Sequence, residues 1–160
     1  MENIELYTIS LKGLSLGSHV FDWKIDGVFF AMYEMTEISD ASINAQVTLV
    51  KHSRFFEMDF VFNGWVEVDC DRCLDPLRLK MESKAKMFAS FGEQAGEIDS
   101  DEYDHIVLQY GDDRLNVAQY LYEYVHLNLP LRRVHPDDSN GRHGCNEEMM
   151  SKLDEFLIKN

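Results

Sequence analysis

The chain has 160 residues, of which 45% are hydrophobic and 12% aromatic, a composition typical of a folded domain and not of a disordered protein. Its 15 basic and 29 acidic residues give a formal net charge of −14. A surface this acidic repels phosphate backbones, which argues against a general nucleic-acid-binding protein and leaves room only for local contacts with RNA.

The sequence also argues against membrane insertion and secretion. It contains no run of about 18 apolar residues that could span a membrane as a helix. The stretch Met1 to Glu5 is acidic and lacks the basic start and apolar segment of a secretory signal. Three cysteines are too few for the disulfide framework of a small secreted domain. We therefore expect a cytoplasmic protein with reduced thiols and no membrane contact.

Alternating apolar and polar residues predict β-strands in the first part of the chain. The stretch Ile4 to Leu11 is apolar at intervals that suggest a strand with an interruption. Phe21, Trp23 and Ile25 alternate with charged residues and predict a second strand. The odd positions from Ile43 to Leu49 are all apolar and predict a third.

Two more alternating segments lie on either side of an Asn-Gly dipeptide. The even positions from Phe56 to Phe62 are apolar, and so are Val66, Val68 and Cys70. Asn63-Gly64 stands between the two segments, and this dipeptide tolerates the positive φ angles of a type I′ turn. The pattern predicts a β-hairpin with its turn at 63–64.

A long alternating segment follows, from Leu77 to Phe91, with apolar residues at odd positions. Because a single strand of this length is unusual, we expect a bulge or bend near Ser83. The segment 92–104 is crowded with acidic residues and is predicted to be a solvated loop. His105 to Tyr110 is predicted to form a short edge strand.

Helical periodicity is confined to the end of the chain. Asn116 and Gln119 are spaced as in a capping box, and Pro130 would end the helix that follows. The apolar stripe of that helix is Ala118, Leu121, Val125 and Leu129. A second helix is predicted at 147–158.

Together these elements predict an α+β fold. We expect a mainly antiparallel sheet, a meander that is either open or closed into a barrel, with one packed helix and a C-terminal helix. The whole chain, 1–160, is expected to form one domain with its core at 43–146, the acidic loop at 92–104 and the C-terminal helix at 147–158.

The Cys-x-x-Cys motif formed by Cys70 and Cys73 is the most distinctive local feature. Two thiolates at this spacing on a turn can bind one tetrahedral metal ion, but two further ligands are needed. The candidate is a zinc site of Cys70, Cys73, His135 and Cys145, in which His135 is preferred because His143 lies only two residues from Cys145. The alternative is that Cys70 fills the apolar face of a strand and the other two cysteines are unpaired.

A redox role for the same two cysteines is disfavoured. A reactive Cys-x-x-Cys thiol is usually activated at the N-terminus of a helix. Here Leu74-Asp75-Pro76 and an alternating strand follow the motif instead.

Basic residues gather in sequence around the two cysteine-containing segments. These candidates for contact with RNA or with a partner protein are Arg72, Arg78, Lys80, Lys84, Lys86, Arg132 and Arg133. The alternative is that acidic residues of the preceding strand, such as Glu67 and Asp69, neutralise them across the sheet.

Motifs of catalysis are missing from the sequence. It has no glycine-rich phosphate loop, no Gly-x-Ser-x-Gly nucleophile elbow and no His-Glu-x-x-His zinc motif. A hydrolase that uses His135 with Asp137 or Asp138 is a weak alternative, because nothing positions a substrate. We therefore expect no enzymatic activity and no small-molecule substrate.

The segment Gly64 to Pro76 resembles the signature of the bacterial YceD-like family, the large ribosomal RNA subunit accumulation proteins. A predicted helix, the Leu-Pro-Leu sequence 129–131 and Cys145 extend the resemblance over about Ile43 to Asn146. Some relatives in this family carry a second cysteine pair after the Leu-Pro segment, which implies a four-cysteine metal site. This chain keeps only Cys145 there, with His135 and His143 nearby.

The resemblance implies a non-enzymatic factor that supports the synthesis, processing or accumulation of large-subunit ribosomal RNA. Its expected partner is a precursor of that RNA or a basic ribosomal protein. The alternative is a small zinc- or thiol-dependent adaptor protein that is unrelated to ribosomes.

Overall fold

The structure is a computed structural model that describes residues 4–92, 102–137 and 144–158. In chain order its elements are a 3-10 helix (Ile4–Tyr7), β1 (Thr8–Ser10), β2 (Gly17–Asp26), α1 (Gly27–Ala31), β3 (Asp40–Lys51), β4 (Phe55–Asp69), β5 (Pro76–Phe91), β6 (Asp104–Leu108), β7 (Arg114–Asn116), α2 (Ala118–Leu127) and α3 (Glu147–Ile158). The predicted α+β fold is confirmed.

The described strands form two sheets, a five-stranded one in the order β2-β3-β4-β5-β6 and a small one of β1 and β7. The large sheet is antiparallel except between β5 and β6, which run parallel. Of the two predicted forms of the meander, the described strands adopt the open one. Within the described residues, no helix is both long and apolar enough to cross a membrane.

The core lies on one face of the large sheet. Alternation along β3, β4 and β5 places Val47, Phe60 and Met87 on this inner face, where all three are fully buried. The buried side chains Leu121 and Val125 of α2 belong to the same core. The outer face carries the polar positions of each strand, as expected for an antiparallel sheet with one solvated side.

The predicted hairpin at Asn63-Gly64 is wrong, because β4 runs straight through this dipeptide. The apolar positions before and after it are all even, so one uninterrupted strand keeps both segments on the inner face. A glycine is needed at position 64 because the backbone of β3 approaches closely there, and not because the chain turns. A Cβ atom added there would lie 2.0 Å from the carbonyl oxygen of Ser42 on β3.

The predicted bulge near Ser83 is also wrong on the side facing β4. The two strands pair without a break in register from Asp69 opposite Pro76 to Phe55 opposite Ser90. Their matched lengths, 15 and 16 residues, let every position find a partner, so no extra residue has to be accommodated. The predicted edge strand after 104 is confirmed as β6.

The start of α2 differs from the predicted capping box. Asn116 is the last residue of β7, and its side-chain oxygen accepts a hydrogen bond from the N–H of Ala118 at 2.9 Å. Gln119 does not reach back, because its amide donates to Glu123 one turn later at 2.6 Å. The pairing of β7 with β1 holds Asn116 extended, which prevents the reciprocal bond.

The remaining predictions concern the start of the chain, the C-terminal helix and the acidic loop. The apolar start of the chain forms a 3-10 helix followed by the short β1, in place of one interrupted strand. The C-terminal helix is confirmed as α3, although Phe156 and Leu157 of its apolar side are exposed. Most of the predicted acidic loop, and also Asp138 and His143, lie outside the described residues.

Candidate metal centre

A tight turn between β4 and β5 presents Cys70 and Cys73. The N–H of Cys70 donates to the carbonyl of Asp75, and the N–H of Leu74 donates to the carbonyl of Cys70, both at 2.9 Å. Leu74 has a φ angle of 63°, in the left-handed region that L residues other than asparagine and aspartate rarely adopt. This turn places both cysteine side chains in one buried cluster.

The segment after α2 is held to this turn by hydrogen bonds of both backbone and side chains. The N–H of Asp71 donates to the carbonyl of Arg133, and the N–H of Arg133 donates back to the Asp71 carboxylate, both at 2.7 Å. The Arg72 guanidinium donates to the carbonyl of His135 at 3.0 Å. These three bonds hold the imidazole of His135 beside Cys73.

A third segment, just before α3, completes the cluster. The N–H of Gly144 donates to the carbonyl of Pro136 at 3.2 Å, and the Asn146 side chain donates to the Asp75 carboxylate at 3.3 Å. Cys145, between these two anchored residues, is thereby brought against Cys70. Residues far apart in sequence therefore meet at one point.

The distances between donor atoms suit a tetrahedral zinc ion. The Sγ atoms of Cys70 and Cys145 are 3.7 Å apart, and Sγ of Cys73 lies 3.4 Å from Nδ1 of His135. All four donor atoms lie within 4.8 Å of one another. A zinc ion about 2.3 Å from each sulfur would place two sulfur ligands about 3.8 Å apart, close to the separation found here.

The orientation of His135 also suits a metal ligand. Its Nε2 lies 3.1 Å from the carbonyl oxygen of Pro76, which can only accept, so Nε2 carries the proton and donates. In the neutral imidazole this leaves the lone pair on Nδ1, which lies beside Cys73. A backbone carbonyl that fixes the second ring nitrogen in this way is the usual support of a metal-bound histidine.

The cluster is small and enclosed by apolar side chains. Cys70, Cys73 and Cys145 are buried, and none of the three forms a disulfide. Apolar side chains that enclose them come from β5, the segment after α2, and the first turns of α3: Leu77, Leu79, Val134, Met149 and Met150. Three cysteines and one histidine in a closed, tetrahedral arrangement are typical of a structural zinc site and not of a catalytic one, which keeps an open position.

Electrostatics favour a thiolate at Cys70. Burial by itself raises the pKa of this thiol, but backbone N–H groups of Cys73, Arg72 and His135 point at the sulfur and lower the pKa to about 6. Burial raises the pKa of the Cys145 thiol, and hydrogen bonds with Cys70 and Cys73 raise it further. Cys70 is therefore the more easily ionised of these two thiols, while Cys145 must release a proton when a metal binds.

The basic residues singled out in the sequence do not form one free patch. On the outer face of the sheet, Arg78 pairs with Glu67 at 3.4 Å and Lys80 with Glu82 at 2.7 Å. Lys86 reaches Glu57 at 2.5 Å and Asp59 at 3.4 Å. Cross-strand neutralisation, the alternative raised by the sequence, thus accounts for Arg78 and Lys86, whereas Lys80 pairs with a carboxylate of its own strand.

The other basic candidates lie nearer the cysteine cluster or stay exposed. Arg133 pairs with Glu37 at 2.9 Å, and Arg72 lies 3.9 Å from Asp137. Lys84 and Arg132 are exposed. A role of these residues in binding RNA remains a prediction.

Sequence reasoning missed the residues that support the candidate ligands. The Asp71 carboxylate, the Pro76 carbonyl and the Asn146 amide each hold one ligand-bearing segment in place. No sequence pattern marks them, because each acts through a partner 59 to 71 positions away.

Comparisons with known proteins agree with the resemblance seen in the sequence. The sequence model of YceD, described as the large ribosomal RNA subunit accumulation protein YceD, matches residues 58–155, which include all four candidate ligands. No curated protein and no solved structure matches the chain. Because the match covers more than half of the 160 residues, the chain belongs to the YceD family of large ribosomal RNA subunit accumulation proteins.

Proposed function

We propose that this protein supports the accumulation of large-subunit ribosomal RNA by binding a component of the assembling subunit, without catalysing a reaction. The observation that carries the proposal is the family match over residues 58–155. The closed character of the cysteine cluster is consistent with it, because all four donor groups face one another and none is left to act on a substrate.

Charge favours a basic ribosomal protein over bare RNA as the direct partner. The net charge of −14 repels phosphate, and the basic side chains of β5 are largely occupied by carboxylates of the same face. A basic partner would instead be attracted to the acidic surface, which raises the rate of encounter and the specificity of binding.

We further infer that Cys70, Cys73, His135 and Cys145 bind one structural zinc ion. The four donor atoms within 4.8 Å support this inference. The ion would fasten the segment after α2 and the start of α3 to the turn between β4 and β5. Structural zinc stabilises a fold directly, since the ligands come together only in the folded chain.

The proposed function is tested in cells that lack the gene for this protein. We expect large-subunit ribosomal RNA to fall relative to small-subunit RNA, and a copy of the wild-type gene to restore the ratio. A tagged copy should also sediment with large-subunit precursors on a sucrose gradient, and this association should weaken as salt is raised. An unchanged ratio, with the tagged protein confined to the top of the gradient, would favour the adaptor unrelated to ribosomes.

The zinc inference is tested by metal analysis of untagged protein purified without chelator. We expect about one zinc per chain in the wild type, and a loss of most of it in His135→Ala. His19→Ala is the matched control, because His19 lies on β2, which β3 separates from the β4–β5 turn, and it does not belong to the cluster. Sub-stoichiometric zinc in the wild type that added zinc does not restore would rule the site out.

A further inference from the structure

A second surface of the protein combines aromatic, apolar and acidic side chains. The rings of Tyr33 and Tyr122 stack with their centroids 4.1 Å apart, and the ring of His126 lies 4.1 Å from that of Tyr122. The Tyr122 hydroxyl donates to the carbonyl of Met35, which joins α2 to the loop before β3. We call Tyr33, Met35 and Tyr122, with the nearby carboxylates of Glu34, Glu37 and Glu123, the tyrosine surface.

Apolar side chains on and beside this surface are exposed to solvent. Met35 is 86% exposed, and Leu127, one turn after Glu123 on α2, is 76% exposed. Leu131, two residues before Arg133, is fully exposed. Isolated exposed leucines are common, but several large apolar groups beside stacked tyrosines are typical of a protein interface.

The rim of the tyrosine surface is negatively charged. Glu34, Glu37 and Glu123 are all exposed. Burial raises the pKa of Tyr33, and interactions with Tyr122, Tyr7 and, last, Glu123 raise it further. Burial likewise raises the pKa of Tyr122, with a contribution from Glu37. Both hydroxyls therefore remain protonated and neutral at physiological pH, in a field that attracts cations.

We propose that the tyrosine surface binds an arginine-rich segment of a basic protein. A guanidinium can stack on a tyrosine ring while it donates to a carboxylate, and its alkyl chain can pack on Met35. Contacts of both kinds occur within the protein. Arg133 pairs with Glu37 at 2.9 Å, which leaves Glu34 and Glu123 to attract a partner, and on the large sheet the guanidinium carbon of Arg78 lies 3.9 Å from the ring centroid of Trp65.

The surface is connected to the candidate metal centre through Arg133. The side chain of Arg133 reaches Glu37, while its backbone N–H donates to Asp71 in the cysteine turn. The segment that carries His135 therefore also orders one edge of the tyrosine surface. This inference rests on the proposed function in one respect, since it identifies where a basic ribosomal protein would be bound.

The first test uses a fluorescent synthetic peptide of alternating arginine and leucine, followed by fluorescence anisotropy. We expect the double variant Glu34→Lys, Glu123→Lys to bind the peptide about tenfold more weakly than the wild type. The control double variant Asp22→Lys, Glu82→Lys makes the same change in net charge on the outer face of the large sheet, and should bind within about twofold of the wild type.

Three results would overturn the proposal. Equal weakening by the two double variants would show attraction to overall charge and no defined site. Unchanged binding by Glu34→Lys, Glu123→Lys would place the peptide elsewhere. Tighter binding of a uridine-rich RNA oligonucleotide than of the peptide would show that RNA, not a basic protein, is the ligand.

The same variants separate this proposal from the proposed function. Cells that carry Glu34→Lys, Glu123→Lys should show the low ratio of large-subunit to small-subunit RNA seen without the gene. A normal ratio in these cells, beside a low ratio in the cells that lack the gene, would overturn the tyrosine surface alone. A normal ratio in both would overturn the proposed function, while specific peptide binding would still support the surface.

Discussion

The sheet core and the cysteine cluster hold different parts of this protein together by different means. The core lies under the inner face of the five-stranded sheet and consists of apolar side chains from long strands, α1 and α2. The cluster contains Cys70, Cys73, Leu77 and Cys145, enclosed by a few partly buried apolar side chains. Burial of apolar area can stabilise the sheet core. The cysteine cluster instead joins three segments that have little apolar area to bury.

This difference implies two levels of stability in one chain. The strands of the core are hydrogen-bonded along 10 to 16 residues each in β2 to β5. The segment that carries His135 and the start of α3 depend on a handful of hydrogen bonds and on the ligand atoms. Regions with few apolar contacts open first, so the cluster should loosen before the sheet does.

The largest effect is expected from a cavity in the core. Phe60 is fully buried and its ring lies 5.1 Å from Tyr124 of α2. Phe60→Ala should lower the free energy of unfolding by about 3–5 kcal/mol, measured by urea denaturation. Phe88→Ala, on the partly exposed outer face, should cost clearly less. Equal losses in both variants would contradict the assignment of inner and outer faces.

Removal of metal should have a more local effect. After a chelator is added, we expect amide hydrogen exchange to speed up at 130–137 and at the start of α3, because these segments lose their common anchor. Amides of β3 and β4 should stay protected. Cooperative unfolding of the whole chain would show that the core depends on the cluster, and unchanged exchange everywhere would show that no metal had been bound.

The pH should act on the cluster in a defined direction. Metal binds thiolates, so protons compete with it and zinc affinity should fall as pH is lowered. The fall should steepen below about pH 6, where Cys70 becomes protonated, while Cys145 contributes already at neutral pH because its pKa is raised. Competition titrations with a zinc indicator at several pH values measure this slope. A flat profile between pH 7 and pH 5 would contradict binding by the thiolates.

The smallest effect concerns the turn that presents the first two cysteines. Leu74 is 64% exposed and has a φ angle of 63°, so its side chain contributes strain and little burial. Leu74→Gly should leave stability unchanged or raise it by up to about 1 kcal/mol, because glycine adopts this conformation without strain. Leu16→Gly is the control: Leu16 is similarly exposed but has no positive φ, so thermal melting should show a small loss. Equal losses in both would contradict strain at Leu74.

Local patterns in the sequence were sufficient for most strands and for α3. Alternation predicted β2, β3 and the two halves of β4, because a sheet with one buried face imposes a period of two on the chain. The hairpin that the structure contradicts was predicted from the dipeptide Asn63-Gly64 alone. The unchanged parity of Phe62 and Val66 already pointed to one strand, and only the approach of β3 to Gly64 explains why a glycine stands there.

The candidate ligands could also be predicted from the sequence. Cys70 and Cys73 have the spacing of a metal-binding turn, and Cys145 and His135 are the further donors that such a site needs. The sequence did not predict that these four side chains lie together, because their proximity depends on hydrogen bonds between Asp71 and Arg133. The tyrosine surface was not predicted at all. Tyr33 and Tyr122 lie on different elements, and no local pattern records that they stack.

Patterns in the sequence are enough to show which residues face the core of the sheet, where the C-terminal helix lies, and to which family the chain is related. Burial of every second side chain and short-range helical spacing are local properties, and they produce a periodic pattern of apolar residues in the sequence. The folded structure is needed to see that four donor atoms converge, that Arg78 and Lys86 are neutralised from the neighbouring strand, and that an acidic aromatic surface forms beside α2. Each of these features depends on contacts between residues that are distant in sequence, and such contacts produce no periodic pattern.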